Sequence, residues 1–371
     1  MDPNDPVPSD EVDQVSQEIV GLTLNPRAGV VRISIPGDPQ VRTGLLVGPD
    51  LVLTSARFVP AGVNAAAIQV ANGVNGAQVR SGWAVTLNPY MPVAIIQTTQ
   101  PFASPGAVII DARSAQGVVN AGARLECSAY RGANEFQTVA QAVIRTDGPR
   151  EYLIGPSIPT STQRLDDWDA GAPCFDVNTG SWVGFALSSP GNNQTRVFVA
   201  SEIGFFVRNM LRVAQVRRST VGGAFMVQTT APGGARMCLD VPWGWPYDAI
   251  GLNQVRCTGT PNQRWFLDTS NPNAPALINA VTGTCIDVPG GSQQPGERLQ
   301  TYACHNGPNQ AWAGNGGNRL SPLSAPLNRA TGLRTLCMSV RGGASASSQP
   351  VEQATCAAGA AQQDWTFGYG F

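Results

Sequence analysis

Lysine is absent from this chain of 371 residues; all 24 basic positions are arginine. A serine–lysine dyad and a lysine Schiff base are therefore excluded. Histidine is almost absent: His305 is the single one, so an imidazole-based catalytic centre or an ordinary zinc site would have to be assembled around that ring. Charged residues make up only 13% and the formal net charge is −1, which gives no basic face for a nucleic-acid partner. No apolar run approaches the ~20 residues needed to span a bilayer. The cysteines lack the C-x-x-C spacing of redox and metal motifs, and neither a cofactor nor a metal is expected.

What is present is turn chemistry and disulfide potential. With 41 glycines, 29 prolines and few long helical patterns, the chain reads as all-β. Its length suits two domains, and a hydrophobic fraction of 42% is ample for packed cores. Eight cysteines, an even number, point to disulfides and an oxidising compartment. The opening Met1-Asp2-Pro3-Asn4-Asp5-Pro6 lacks the apolar core of a signal peptide. The expectation is a secreted or periplasmic protein whose export signal has been removed, with residues 1–18 as a flexible tail.

The second half carries an internal threefold repeat. Cys238 and Cys257, Cys285 and Cys304, and Cys337 and Cys356 each enclose eighteen residues. Each pair is followed by a Gln-x-Trp: Gln263-Arg264-Trp265, Gln310-Ala311-Trp312 and Gln363-Asp364-Trp365. The first cysteines open similar phrases, Cys238-Leu239-Asp240, Cys285-Ile286-Asp287 and Cys337-Met338-Ser339. One such unit is too small to bury its own apolar face; three can close around a shared axis, with the three tryptophans filling the centre.

This pattern resembles the ricin B-type β-trefoil lectins and the family 13 carbohydrate-binding modules over residues 222–371. The resemblance implies a shallow sugar site in each repeat. An acid after the first cysteine accepts bonds from hydroxyls, an aromatic before the second cysteine stacks on the ring, and polar residues before the tryptophan complete the grip. The second repeat keeps every part as Asp287, Tyr302, His305, Asn309 and Gln310. The first keeps Asp240, Asn262 and Gln263, but Val255 replaces the aromatic and Thr258 the histidine; Trp243, Trp245 and Tyr247 in its loop are alternative stacking faces. The third has Ser339 for the acid and Ala354 for the aromatic, and reads as structural only. The glutamines of the three motifs are fold signature as much as ligand contact, and an Asp-Tyr-His-Asn cluster can also be a satisfied polar network without a ligand.

In the first half, three phrases resemble the chymotrypsin-like serine proteases, over residues 19–218. Thr43-Gly44-Leu45-Leu46-Val47 followed by Leu51-Val52-Leu53-Thr54-Ser55-Ala56 is similar to the strands leading to the catalytic histidine, and Arg57 stands in its place. Pro92-Val93-Ala94-Ile95-Ile96 is similar to the strand that opens with the catalytic aspartate, but opens with Pro92. Asp169-Ala170-Gly171-Ala172-Pro173 is similar to the nucleophile loop, with Ala170 in place of serine, and Trp168 replaces a glycine that shapes the oxyanion hole. The triad needs a hydroxyl, an imidazole and a carboxylate, and all three are missing. The resemblance thus implies a pseudoprotease with a double β-barrel.

It further implies a Cys127–Cys174 bridge, a C-terminal helix over Ser201–Arg218, and an Ile19-Val20-Gly21 segment whose released amine would reach Asp169. Arg217-Arg218 and Gly222-Gly223 mark the linker. Asn193-Gln194-Thr195 is a glycosylation sequon. The expected function is a non-catalytic lectin that binds galactose- or xylose-type glycans, with the protease-like domain as a spacer or a surface for a protein partner. The competing reading is a secreted hydrolase, protease or glycosidase, with Asp166, Asp167 and Asp169 as its carboxylates.

Overall fold

The computed structural model describes residues 29–72, 78–102, 121–131, 136–146, 151–156, 165–191, 194–219, 223–230, 234–343 and 347–369. The expectations for residues 1–21, Asn193 and Gly222 lie outside these. Two compact units emerge, one of residues 1–58, 63–84 and 98–201, the other of residues 59–62, 85–97 and 202–371.

Twelve strands form two closed antiparallel barrels. The first contains β1 (Val30–Ser34), β2 (Val41–Leu46), β3 (Leu51–Ser55), β4 (Gln69–Asn72), β5 (Gln78–Leu87) and β6 (Val93–Thr98), in the order β1-β2-β3-β6-β5-β4. The second contains β7 (Arg124–Tyr130), β8 (Phe136–Thr146), β9 (Glu151–Pro156), β10 (Pro173–Asp176), β11 (Trp182–Gly191) and β12 (Gln194–Val199), in the order β10-β11-β12-β9-β8-β7. The two orders are one topology used twice: β1 closes on β4 as β7 closes on β10. Closure removes the exposed edges that short strands would otherwise present. The Val-, Leu- and Ile-rich phrases become the barrel walls; β3 and β6 are buried along their whole lengths. In the second barrel Leu125, Val143, Ile154, Leu165, Val183 and Val197 pack together. The Cys127–Cys174 disulfide sits at its closing seam, where these two residues face each other across β7 and β10.

A 20-residue helix, α1 (Ala200–Ser219), follows β12, where the resemblance implies one over Ser201–Arg218. Ile203, Phe206, Val207, Met210 and Val213 are its buried stripe.

The remaining chain is a β-trefoil. Its repeats centre on three cysteine-bridged hairpins: Arg236–Asp240 with Asn253–Arg256, Cys285–Asp287 with Gln300–Tyr302, and Leu336–Val340 with Gln349–Thr355. All three expected disulfides are formed. Trp265, Trp312 and Trp365 share one core with Leu239, Ile286 and Met338. The repeats are interleaved in sequence. The first repeat's Ile250–Gly251 pairs with Thr301 and Gln300 of the second, Gln353 of the third bonds Gly296 and Glu297 of the second, and the third repeat's Gln349 and Pro350 pair with Gln254 and Asn253 of the first. The all-β, double-barrel-plus-trefoil architecture expected from the sequence is the one observed. Among the described residues, no helix is long and apolar enough to cross a membrane.

Candidate functional site

The three repeats share a hydrogen-bond frame. Each motif tryptophan donates its indole N–H to the carbonyl of the residue after the first cysteine: Trp265 to Leu239 at 3.1 Å, Trp312 to Ile286 at 3.2 Å, Trp365 to Met338 at 3.0 Å. Each motif glutamine clamps the loop after the second cysteine. Gln263, Gln310 and Gln363 accept from the backbone N–H of Thr258, His305 and Ala357 at 2.8–2.9 Å. They donate to the carbonyls of Arg256, Ala303 and Thr355 at 2.9–3.1 Å. The framework is thus independent of the residues that vary between repeats, and its glutamines are largely committed to backbone.

In the second repeat the variable positions converge. Asp287 is buried at the end of its strand, paired in register with Gln300. Asn309 donates to Asp287 Oδ1 at 2.7 Å and to the Val288 carbonyl at 3.2 Å, and Gln300 donates to Oδ2 at 2.8 Å. His305 Nδ1 accepts from the Gly307 N–H at 3.1 Å, which leaves Nε2 as the donor, and Nε2 lies 3.7 Å from Asp287 Oδ1. Tyr302 pairs in register with Cys285, is 39% exposed, and meets the His305 ring edge-on at 6.2 Å between centroids. Burial raises the Asp287 pKa, while the amides of Gln300 and Gln310 and the nearby His305 oppose the shift. The result is an oriented carboxylate beside an exposed phenol ring and an imidazole N–H. That arrangement suits a ligand with hydroxyls on its edge and C–H groups on its face. Each carboxylate oxygen has a second lone pair to give.

The first repeat assembles half of this. Asn262 and Gln263 donate to Asp240 Oδ2 at 2.8 and 3.2 Å, and Asn262 also bonds the Val241 carbonyl at 3.0 Å. Burial lifts the Asp240 pKa to about 6 against the lowering effect of those two amides. Val255 stands opposite Cys238, in the register position of Tyr302. In the third repeat Ala354 takes that position opposite Cys337, and Ser339 faces Glu352. Glu352 is ion-paired with Arg341 of the following turn.

The sequence of the trefoil half carries the same signature. Residues 226–312 and 273–370 match the model of the Ricin-type beta-trefoil lectin domain. The match covers residues 226–370, the C-terminal part alone. Among solved structures, a designed three-fold symmetric protein, ThreeFoil, is similar at 21% identity with a TM-score of 0.33, over 39% of this chain and 97% of that one. Human heparin binding protein is similar at 17% identity with a TM-score of 0.42, over 50% of this chain and 92% of that one. A scabies mite inactivated protease paralogue is similar at 16% identity with a TM-score of 0.43, over 50% of this chain and 94% of that one. No curated protein sequence matches the chain.

Two residues beside the trefoil's second repeat escape a repeat-by-repeat reading. Gln300 was findable: once Cys285 faces Tyr302, the antiparallel register sets Gln300 against Asp287. Asp248 was not, because it reaches this repeat from the first repeat's loop. Its Oδ1 accepts from the Ala303 N–H at 2.6 Å, and Ala249 N–H bonds the Thr301 carbonyl at 2.8 Å.

The three positions that the resemblance aligns with a catalytic triad hold other chemistry. Arg57, in a short 3-10 turn after β3, lies 3.3 Å from Asp167 in a half-exposed ion pair. Ala170 is buried in the turn after a second 3-10 segment, Asp167–Asp169, and Pro92 immediately precedes β6. Asp169 is buried and gripped by Arg131, whose Nε and Nη2 donate at 3.1 and 2.6 Å; the Asp166 N–H adds a bond at 2.9 Å. Burial raises the Asp169 pKa, against these bonds. The acid that the resemblance reserves for a released amine therefore already has a guanidinium.

Proposed function

We propose that this protein is a lectin whose trefoil binds galactose- or xylose-type glycans, with the second repeat as the dominant site. Asp287 would accept bonds from two ring hydroxyls, Tyr302 would stack, and His305, Asn309 and Gln310 would line the polar edge; Asp240, Asn262 and Gln263 would form a weaker site. The observation that carries the reading is the Asp287 carboxylate, buried yet held by Asn309 and Gln300 beside the exposed Tyr302 ring.

Residues 19–218 act in this reading as a non-catalytic protease-like domain, a spacer or a protein-binding surface of a secreted or periplasmic protein. Arg57 cannot serve as a base, since its guanidinium stays protonated at any working pH, and Ala170 and Pro92 carry no reactive group. The carboxylates of the competing hydrolase reading are engaged: Asp167 with Arg57 and Asp169 with Arg131. The test is a glycan array probed with the full chain and with its Asp287→Ala variant. Galactose- or xylose-terminated glycans should light up and dim in the variant; an array that stays blank for the wild-type chain would refute the proposal.

A further inference from the structure

We infer that Arg212 of α1 is a positioning residue for the second-repeat site: it grips Asn306 and so fixes the loop that carries His305. This rests on the lectin reading above. Most of α1 and the whole trefoil belong to one compact unit, which contains residues 202–371. A helix seated there by its apolar stripe alone would need no polar contact with a loop of the site. Arg212 makes one. Its Nε and Nη2 donate to Asp268 Oδ2 at 2.9 and 2.8 Å, and the same Nη2 donates to Asn306 Oδ1 at 2.5 Å. The Asp268 side chain is only 4% exposed, so a buried charge aims the guanidinium before it reaches the loop. Nearby the helix touches the second repeat directly: a Cβ on Gly283 would lie 2.7 Å from the Asn209 carbonyl oxygen. The Gly283 carbonyl oxygen is in turn 3.6 Å from Sγ of Cys304, the residue before His305. Arg208, one helical turn before Arg212, acts electrostatically on Asp248, as do Asp287 and His305.

Asn306 is the pivot of that loop. Its φ of 60° lies in the left-handed region, where glycine is at ease and asparagine carries some cost. The first repeat makes the same bend with Gly259, two residues after its second cysteine at φ 73°, and offers no side chain to a neighbour. The second repeat thus carries, on an exposed bend, a side chain that the conformation does not require and that Arg212 holds. Around the bend the chain folds back on the site. The His305 N–H donates to Gln310 Oε1 at 2.8 Å, and the Gly307 N–H donates to His305 Nδ1 at 3.1 Å. The fit is close: a Cβ on Gly307 would lie 2.6 Å from the His305 ring and 2.7 Å from Asn309 Oδ1. Rotation at Asn306 would carry the Gly307 N–H away from Nδ1. That bond is what leaves Nε2 as the donor, 3.7 Å from Asp287 Oδ1.

The test uses the full chain, and its reporter is built in, because His305 is the single histidine. The imidazole C–H signals in a proton NMR spectrum recorded without sugar should move in Arg212→Ala and in Asn306→Gly. Titrated calorimetrically with galactose and with xylose, each variant should bind about three- to tenfold more weakly than the wild type, the scale of one lost hydrogen bond. The double variant should bind no more weakly than either single one, because both changes remove the same link. Asn306→Gly keeps the left-handed bend and the Arg212–Asp268 pair, so it should unfold on heating as the wild type does and decides the matter even if Arg212→Ala fails to fold. Unmoved imidazole signals or unchanged affinity in Asn306→Gly, or additive losses in the double variant, overturn this inference and leave the second-repeat site standing. A wild-type chain that binds neither sugar overturns both.

Discussion

The second and third repeats of the trefoil have the same disulfide, the same indole-to-carbonyl bond and the same glutamine clamp, yet Ser339 and Ala354 stand in the third where the second has Asp287 and Tyr302. Where the second repeat aims Asn309 and Gln300 at a buried acid, the third has Ser339, and its nearby charges, Arg341 and Glu352, neutralise each other. In the reading proposed above, folding and sugar binding would draw on largely different residues within one unit, with the motif glutamine shared. A repeat without that acid still completes the shared core, because three units are needed to bury the three tryptophans.

That separation can be broken at its structural end first. Trp365 belongs to the third repeat but is almost fully buried in the common core. Trp365→Ala should destabilise the trefoil by about 3–5 kcal/mol, as large-to-small core changes do, measured by denaturant unfolding. A cost below about 1 kcal/mol would mean that the third repeat is not part of a common core.

The first repeat sharpens the comparison through pH. Its acid, Asp240, has a pKa raised by burial from the ordinary aspartate value of 3.8 to about 6. The folded state thus binds a proton more tightly than the unfolded chain. The stabilisation is fully present below about 4 and is lost as pH rises through about 6. Sugar binding should run the opposite way, because the protonated acid is a poorer acceptor: affinity at the first repeat should fall as pH drops below about 6. Calorimetric titration of the Asp287→Ala chain between pH 5 and pH 8 measures this, and Asp240→Asn should flatten both profiles.

The smallest expected effect lies in the barrels. Ala170→Ser should yield no peptidase activity and no labelling by an active-serine phosphonate probe, since Arg57 is a paired cation and not a base. Labelling at ordinary serine-protease rates would break the proposed contrast between a sugar-binding trefoil and a non-catalytic barrel pair.

The features that the sequence displayed were those repeated or periodic in it. Identical cysteine spacings predicted three disulfides, and the protease resemblance implied α1. The second-repeat cluster was legible because its members lie within one unit of about forty-seven residues and match a family pattern residue by residue. What escaped was contact between units of the repeat or across long loops. Asp248 belongs to one repeat and bonds the next, and Arg131 finds Asp169 across 38 residues with no spacing to advertise it.

The most direct test of the account is one titration series, run with a single monosaccharide selected from the glycan array against the wild type, Asp287→Ala and Ser339→Ala. Removing the charged acceptor Asp287 should weaken binding about ten- to a hundredfold, the worth of about 1.5–3 kcal/mol for such a bond. Ser339→Ala should leave the affinity unchanged. Weaker binding in Ser339→Ala together with full affinity in Asp287→Ala would contradict the account.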